Sequence, residues 1–163
     1  MDYVWTPWRY QYVSRAQPGD PCIFCSRTGS GRDREHFILH RGQRNFIILN
    51  RFPYTAGHLM VAPFEHVATL AQAPPETVTE MMLLARRADQ LLAQIYKPEG
   101  MNLGINEGAC AGAGVAGHLH MHVLPRWTGD ASFMTTIAET RLLPEDLNTT
   151  YEKLRGAFAE TSA

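Results

Sequence analysis

Three histidines recur at two-residue spacing in the segment Gly117-His118-Leu119-His120-Met121-His122-Val123-Leu124. Alternate side chains of an extended strand share a face. His118, His120 and His122 are therefore expected to form a row of imidazoles, while Leu119, Met121 and Val123 turn toward a core. Imidazole titrates near neutral pH and makes poor generic surface filler, so the row points to nucleophilic or acid–base catalysis or to metal binding. At about 3.3 Å rise per residue the outer pair stands roughly 13 Å apart, and one zinc ion with bonds of about 2 Å cannot span that. An adjacent pair, His118 and His120, could share a metal in a metal-dependent hydrolase. The reading without chemistry is a half-buried strand whose polar face carries histidine.

Other segments offer chemistry with less definition. Cys22-Ile23-Phe24-Cys25 has the spacing of a metal knuckle, a redox pair or two thiols in an apolar niche. The Gly/Ser/Arg stretch from Ser26 to Arg34 reads as loop, which does not suit a thioredoxin-type motif between strand and helix. Zinc would need further ligands. Cys110 has no evident partner. It lies in Gly108-Ala109-Cys110-Ala111-Gly112-Ala113-Gly114-Val115, whose small residues let backbone amides approach an oxyanion. No Gly-Lys-Ser/Thr follows, so the loop is not a Walker motif. Asn50, three residues before Pro53, reads by itself as a turn former.

The chain has 163 residues, 45% of them hydrophobic and 19% charged, with a formal net charge of −1. That composition fits one soluble domain with its own core, and it implies no broad attraction to nucleic acid. The longest apolar run, Met81 to Ala85, is too short for a membrane span or a signal peptide. An odd number of cysteines, three, does not suit a secreted disulfide scaffold. A cytoplasmic protein is expected.

The elements that must position the histidines follow from periodicity. Strands are expected at 37–40 and 45–49, joined across Gly42, at 58–62 launched by Gly57, at 102–106, and through the histidine row. A short helical turn is expected at 66–73. Val78, Met81, Ala85, Ala88, Leu92 and Ile95 recur at helical spacing, and that helix must stop before Lys97-Pro98-Glu99-Gly100. A last helix is expected from Pro144 to about Phe158, with Leu147, Tyr151, Leu154 and Phe158 as its apolar stripe and Glu145 and Asp146 in its first turn. Residues 1–21, with Trp5-Thr6-Pro7-Trp8-Arg9-Tyr10, form an aromatic arm expected to pack on the body or on a second subunit.

The His-x-His-x-His segment with Asn106-Glu107-Gly108 before it, and upstream Asn50-Arg51-Phe52-Pro53 and Gly57-His58-Leu59-Met60-Val61-Ala62-Pro63, resembles the signature of the histidine triad (HIT) family of nucleotide hydrolases and nucleotidyl transferases. The match covers roughly residues 22–127. The Trp-x-Pro-Trp-Arg opening resembles the bacterial branch that contains diadenosine tetraphosphate phosphorylases. The resemblance implies an α+β HIT-like fold: about five antiparallel strands, one long helix packed on them and a C-terminal helix, forming a single domain over 1–163 with a core at 22–127 and a C-terminal part at 128–163.

It also implies an enzyme acting on the α-phosphate of a dinucleoside polyphosphate, as hydrolase or phosphorylase, through a covalent nucleotidyl-histidine on His120. His122 would donate a proton or bind phosphate, and His118 would stand beside them. Asn50 would lie near the ribose, His58 beside the triad, and Asn106, Gly112, Ala113 and Gly114 at the phosphates. Many relatives carry Gln and Ser or Thr where this chain has Ala113 and Gly114, so backbone amides would have to hold the phosphate. No cofactor is implied for catalysis. A structural zinc on Cys22, Cys25, His66 and His118 is implied, as is an edge-to-edge homodimer. A nucleotide-binding signalling module with incidental turnover and a metal-dependent hydrolase using His118 and His120 as ligands stay open.

Overall fold

The structure is a computed structural model that describes residues 21–130 and 143–160. Residues 1–20, nearly all of the aromatic arm, and residues 131–142 and 161–163 lie outside the described residues. Two short helices, α1 (Ile23–Thr28) and α2 (Asp33–His36), precede the strands β1 (Ile38–Arg41), β2 (Asn45–Leu49) and β3 (Leu59–Pro63). Helix α3 (Pro75–Tyr96), strand β4 (Gly100–Ile105), a 3-10 turn at Ala109–Ala111, strand β5 (Met121–Arg126) and helix α4 (Leu147–Glu160) follow. The strands form one antiparallel sheet in the order β1-β2-β3-β5-β4. No helix among the described residues is long and apolar enough to cross a membrane.

Alternation along the strands sorts side chains to two faces. Ile47, Leu49, Leu59, Val61, Leu119, Met121 and Val123 meet Met81, Ala85, Ala88 and Leu92 of α3 and Tyr151, Leu154 and Phe158 of α4. The opposite face carries a smaller apolar cluster of Phe24, Ile38, Phe46, Ile48, Met60 and Ala62. The histidine row lies on that second face, so the large core backs the site and α1 flanks it. Gly57, at φ +78°, enters β3 where a Cβ would press within 3.1–3.3 Å of Leu92, Tyr96 and Pro125. Only glycine combines that conformation with so close an approach of backbone to helix.

Local expectations change at four places. A helix opens at Ile23, with Cys22 just before it and Cys25 in its first turn, and Ser26 to Arg34 contains the end of α1 and the start of α2 rather than a continuous loop. Residues 66–73 make turns without a helix. Helix α4 begins at Leu147, because Asp146 Oδ1 accepts the N–H groups of Asn148 and Thr149 and so caps the helix from outside it. Strand β5 begins at Met121, after two of the three histidines. The register pairs Leu59 with Val123 and Val61 with Met121, which would next bring Pro63 opposite Leu119. Proline has no N–H to donate, and the Leu119 N–H turns instead to the Val67 carbonyl, 2.6 Å away.

Glu80 of α3 grips the turn between β1 and β2. Its carboxylate accepts the N–H groups of Gln43, Arg44 and Asn45 and the Asn45 side-chain amide at 2.7–2.8 Å. Burial alone would raise its pKa, but these donors outweigh burial and hold it below the ordinary 4.5. A depressed carboxyl pKa stabilises the fold above the unfolded value and loses that contribution as pH falls through the folded value. Glu80→Gln is expected to cost about 1–2 kcal/mol at pH 7, read by urea titration. The gap between wild type and variant should narrow from pH 4.5 downward; a gap independent of pH would contradict the role.

Candidate functional site

Each histidine of the row is held by a different hydrogen bond, and the bonds settle where the protons lie. His120 Nδ1 is 2.7 Å from the carbonyl oxygen of His118. A carbonyl only accepts, so Nδ1 carries the proton and Nε2 keeps its lone pair. His118 Nε2 is 2.9 Å from the Pro63 carbonyl and donates to it, which leaves Nδ1 as its free nitrogen. The carbonyl of Pro63, the residue that interrupts the ladder, therefore sets the tautomer of His118.

His122 is fixed through His58. The Tyr54 N–H donates to His58 Nδ1 at 3.0 Å, so the His58 proton resides on Nε2, 2.9 Å from His122 Nδ1. His122 accepts there and carries its own proton on Nε2. Asn50 Nδ2 lies 3.5 Å from the same His58 nitrogen; its Oδ1 accepts the Phe52 N–H at 2.9 Å, closing the turn after β2. Asn50 thus forms the turn that its residue type suggests and also lies beside the histidines. The Tyr54 ring covers His58 and His122 at centroid distances of 4.7 and 6.1 Å.

The three rings are kept uncharged by their surroundings. His118 and His120 are 1% and 3% exposed, and burial lowers both pKa values; the neighbouring His66 and His120 add to the effect on His118 by repelling a charge there. Burial, with His120 beside it, pushes His122 down to about 4. At neutral pH the row therefore offers one lone pair, on His120 Nε2, next to one proton, on His122 Nε2.

His118 turns its free nitrogen away from the row. Cys22 Sγ, Cys25 Sγ and His66 Nδ1 lie 3.3, 3.6 and 3.3 Å from His118 Nδ1, and Cys25 Sγ lies 3.4 Å from His66 Nδ1. All four donor atoms fall within 4.8 Å of one another. A tetrahedral zinc ion with bonds of about 2.0–2.3 Å keeps its ligands roughly 3.3–3.8 Å apart. Two thiols and two imidazoles at these separations fit such an ion, and the Pro63 carbonyl supplies the outer partner that orients a ligating histidine. Burial and the neighbouring Cys22 push the Cys25 thiol up, a penalty that a bound cation would reverse.

The glycine-rich loop differs in detail from the expectation. Gly112 and Ala113 donate their N–H groups within the loop, to the carbonyls of Ala109 and Gly108, because the 3-10 turn and Gly112 at φ +92° fold the segment on itself. Those two amides are spent. Gly114 N–H has no backbone acceptor among the described residues. Asn106, half exposed, directly follows β4 beside the row.

The sequence reading missed Phe24, Pro63 and Tyr54. Phe24 sits 5.0 Å from the His118 ring and 5.2 Å from the His120 ring, centroid to centroid. Pro63 and Tyr54 act through backbone groups, which their side chains do not advertise.

Residues 32–129 match the family model described as HIT domain. The chain belongs to the HIT domain family. It is 34% identical over 98% of its length to a Mycobacterium tuberculosis protein named AP-4-A phosphorylase, of which 85% is covered. It is 28% identical, over 58% of the chain and 52% of the relative, to the asymmetrical bis(5'-nucleosyl)-tetraphosphatase of Schizosaccharomyces pombe. Among solved structures, a Zn-bound histidine triad family protein from Mycobacterium smegmatis superposes with a TM-score of 0.69 at 31% identity, covering 86% of this chain and 94% of that one. These matches agree with the HIT-like fold expected from the sequence.

Cobalt(II) added to metal-free HIT protein is expected to give thiolate charge-transfer absorption and the visible bands of a tetrahedral ion, both lost in Cys25→Ser. An octahedral spectrum indifferent to that substitution would exclude the four-residue cluster.

Proposed function

We propose that this HIT protein is an enzyme that cleaves dinucleoside polyphosphates by two displacements at the α-phosphorus, with a nucleotidyl group carried transiently on His120. The observation that supports this most directly is the proton arrangement of the row: a lone pair on His120 Nε2 beside an N–H on His122. In the first step His120 Nε2 attacks phosphorus, the bond to the bridging oxygen breaks, and that oxygen leaves as the polyphosphate anion while the His122 Nε2–H donates a hydrogen bond to it. In the second step water or inorganic phosphate attacks, the phosphorus–nitrogen bond breaks with its electron pair returning to His120 Nε2, and the proton of an attacking water passes to solvent. The Gly114 amide and Asn106 would face the non-bridging oxygens, where charge develops, and Asn50 the ribose. His58 holds the His122 tautomer.

In this reading zinc on Cys22, Cys25, His66 and His118 has a structural role, and His118 orders the site without reacting. A hydrolase using His118 and His120 as joint metal ligands is disfavoured by the same hydrogen bonds: His118 Nε2 is committed to Pro63, and its Nδ1 points at the cysteines. The reading treats the chain as one cytoplasmic domain and includes a homodimer. Strand β4 is a sheet edge, and Leu103 on it is 45% exposed, which suits pairing with a second copy. Equilibrium sedimentation of wild type against Leu103→Lys reads this; a wild-type monomer would remove it.

Hydrolysis and phosphorolysis differ only in the second acceptor. Similarity to the AP-4-A phosphorylase and the Trp-x-Pro-Trp-Arg opening favour phosphate. Diadenosine tetraphosphate incubated with the enzyme is expected to yield ADP and ATP only when inorganic phosphate is present. AMP and ATP formed equally well without phosphate would make it an asymmetrical hydrolase, and no cleavage under either condition would contradict the proposal.

A further inference from the structure

Phe24 lies between the two cysteines of the metal-binding cluster, on the first turn of α1, and is 1% exposed. Its ring leans on both His118 and His120, at tilts of 52° and 43°. On its other side it meets Phe46 edge to face at 6.2 Å, within the cluster of Ile38, Ile48, Met60 and Ala62. Phe24 therefore joins three parts of the molecule: the small apolar core, the cysteine-bearing turn and the imidazole at the centre of the row.

The need for such a residue follows from the torsional freedom of histidine. The χ2 torsion of an imidazole is broad and roughly two-fold, so a ring is not set by its rotamer alone. The hydrogen bond from Nδ1 to the His118 carbonyl favours one orientation, but one net hydrogen bond biases such an equilibrium only about tenfold. Steric walls must do the rest. His122 forms one wall, edge-on to His120 at 5.0 Å and 74°, and Phe24 forms the other.

Resting on the assignment of His120 as nucleophile, we propose that Phe24 is a positioning residue for catalysis, whose ring confines the His120 imidazole so that Nε2 stays aimed at phosphorus. The wall is anchored at both ends, since Cys22 and Cys25 flank Phe24 and both contact His118 Nδ1. His118 also provides the carbonyl that accepts from His120. The metal-binding cluster thus orders the nucleophile twice, through the carbonyl of one ligand and through the phenyl ring between two others. Displacement of a reacting atom by about 1 Å can cost on the order of 10²-fold in rate, so loosening this wall is expected to lower turnover while leaving nucleotide affinity nearly intact.

Phe24→Leu and Phe24→Met keep apolar bulk and remove the flat surface, and two variants guard against one failing to fold. Melting temperature and bound zinc are measured alongside. In either folded variant kcat is expected to fall about 10- to 100-fold, with KM within threefold of wild type. Two-bond proton–nitrogen correlation spectra should show His120 as one Nδ1–H tautomer in wild type and as an averaged mixture in the variants. A folded variant with kcat within twofold of wild type, an equal change in KM, or an unaltered His120 signature would overturn the inference. Wild-type protein gives a test that needs no variant: averaged nitrogen shifts for His120 would mean the ring is not confined. Wild type that turns over without ever being labelled at His120 removes the nucleophile assignment itself. Variants labelled as fast as wild type remove only the role of Phe24.

Discussion

A hydrogen bond of 2.7 Å runs from His120 Nδ1 to the carbonyl of the residue two positions earlier, and the neighbouring parts of the site are arranged in relation to it. The two-residue step that sets His118 and His120 against the same Phe24 ring also brings an acceptor to the central imidazole, although both precede β5. The bond leaves a lone pair on the opposite nitrogen. The residue that supplies the acceptor is itself held by Pro63, whose carbonyl lies 2.9 Å from His118 Nε2 and which falls opposite Leu119, where the ladder between β3 and β5 has stopped. Pro63 thus orients His118, and His118 in turn sets the tautomer of the central histidine.

The two faces of the sheet divide the work. Helices α3 and α4 cover one face with a large apolar core, which makes β3 and β5 a rigid backing for the row. Among the described residues the other face holds the smaller cluster around Phe24 beside the histidine row, with the Cys22–Cys25 turn against it. Desolvation there keeps the imidazoles neutral, as a histidine nucleophile requires. Each ring is held by a directional partner: the His118 carbonyl for His120, His58 for His122 and the Pro63 carbonyl for His118. A family whose relatives include a named AP-4-A phosphorylase and a named tetraphosphatase fits a site that presents one lone pair and one proton side by side.

Much of this was legible in the sequence because it rests on periodicity. The alternation of histidine with Leu119, Met121 and Val123 gave the faces, and Met81, Ala85, Ala88 and Leu92 gave the buried stripe of α3; all seven residues are buried. The four candidate metal ligands converge as the family resemblance implied. What could not be read depends on contacts between distant segments or on backbone groups. Ser26 to Arg34 is rich in loop formers, yet it carries the end of one helix and the start of another, the second of which packs on β1. Asp146 reads as a first-turn acid but caps from outside the helix. Gly112 and Ala113 look like phosphate donors until the loop is seen to use their amides itself. Phe24 reads as filler between two cysteines, because nothing local shows that the rings of His118 and His120 lie against it.

The most direct measurement is rapid chemical quench of the enzyme mixed with a dinucleoside polyphosphate labelled at the α-phosphate, followed by peptide mapping under conditions that preserve phosphoramidates. The account predicts acid-labile label on the side chain of His120, formed at least as fast as the first product is released and absent from His120→Ala. Turnover with no label on that ring, or activity retained by His120→Ala, would contradict it.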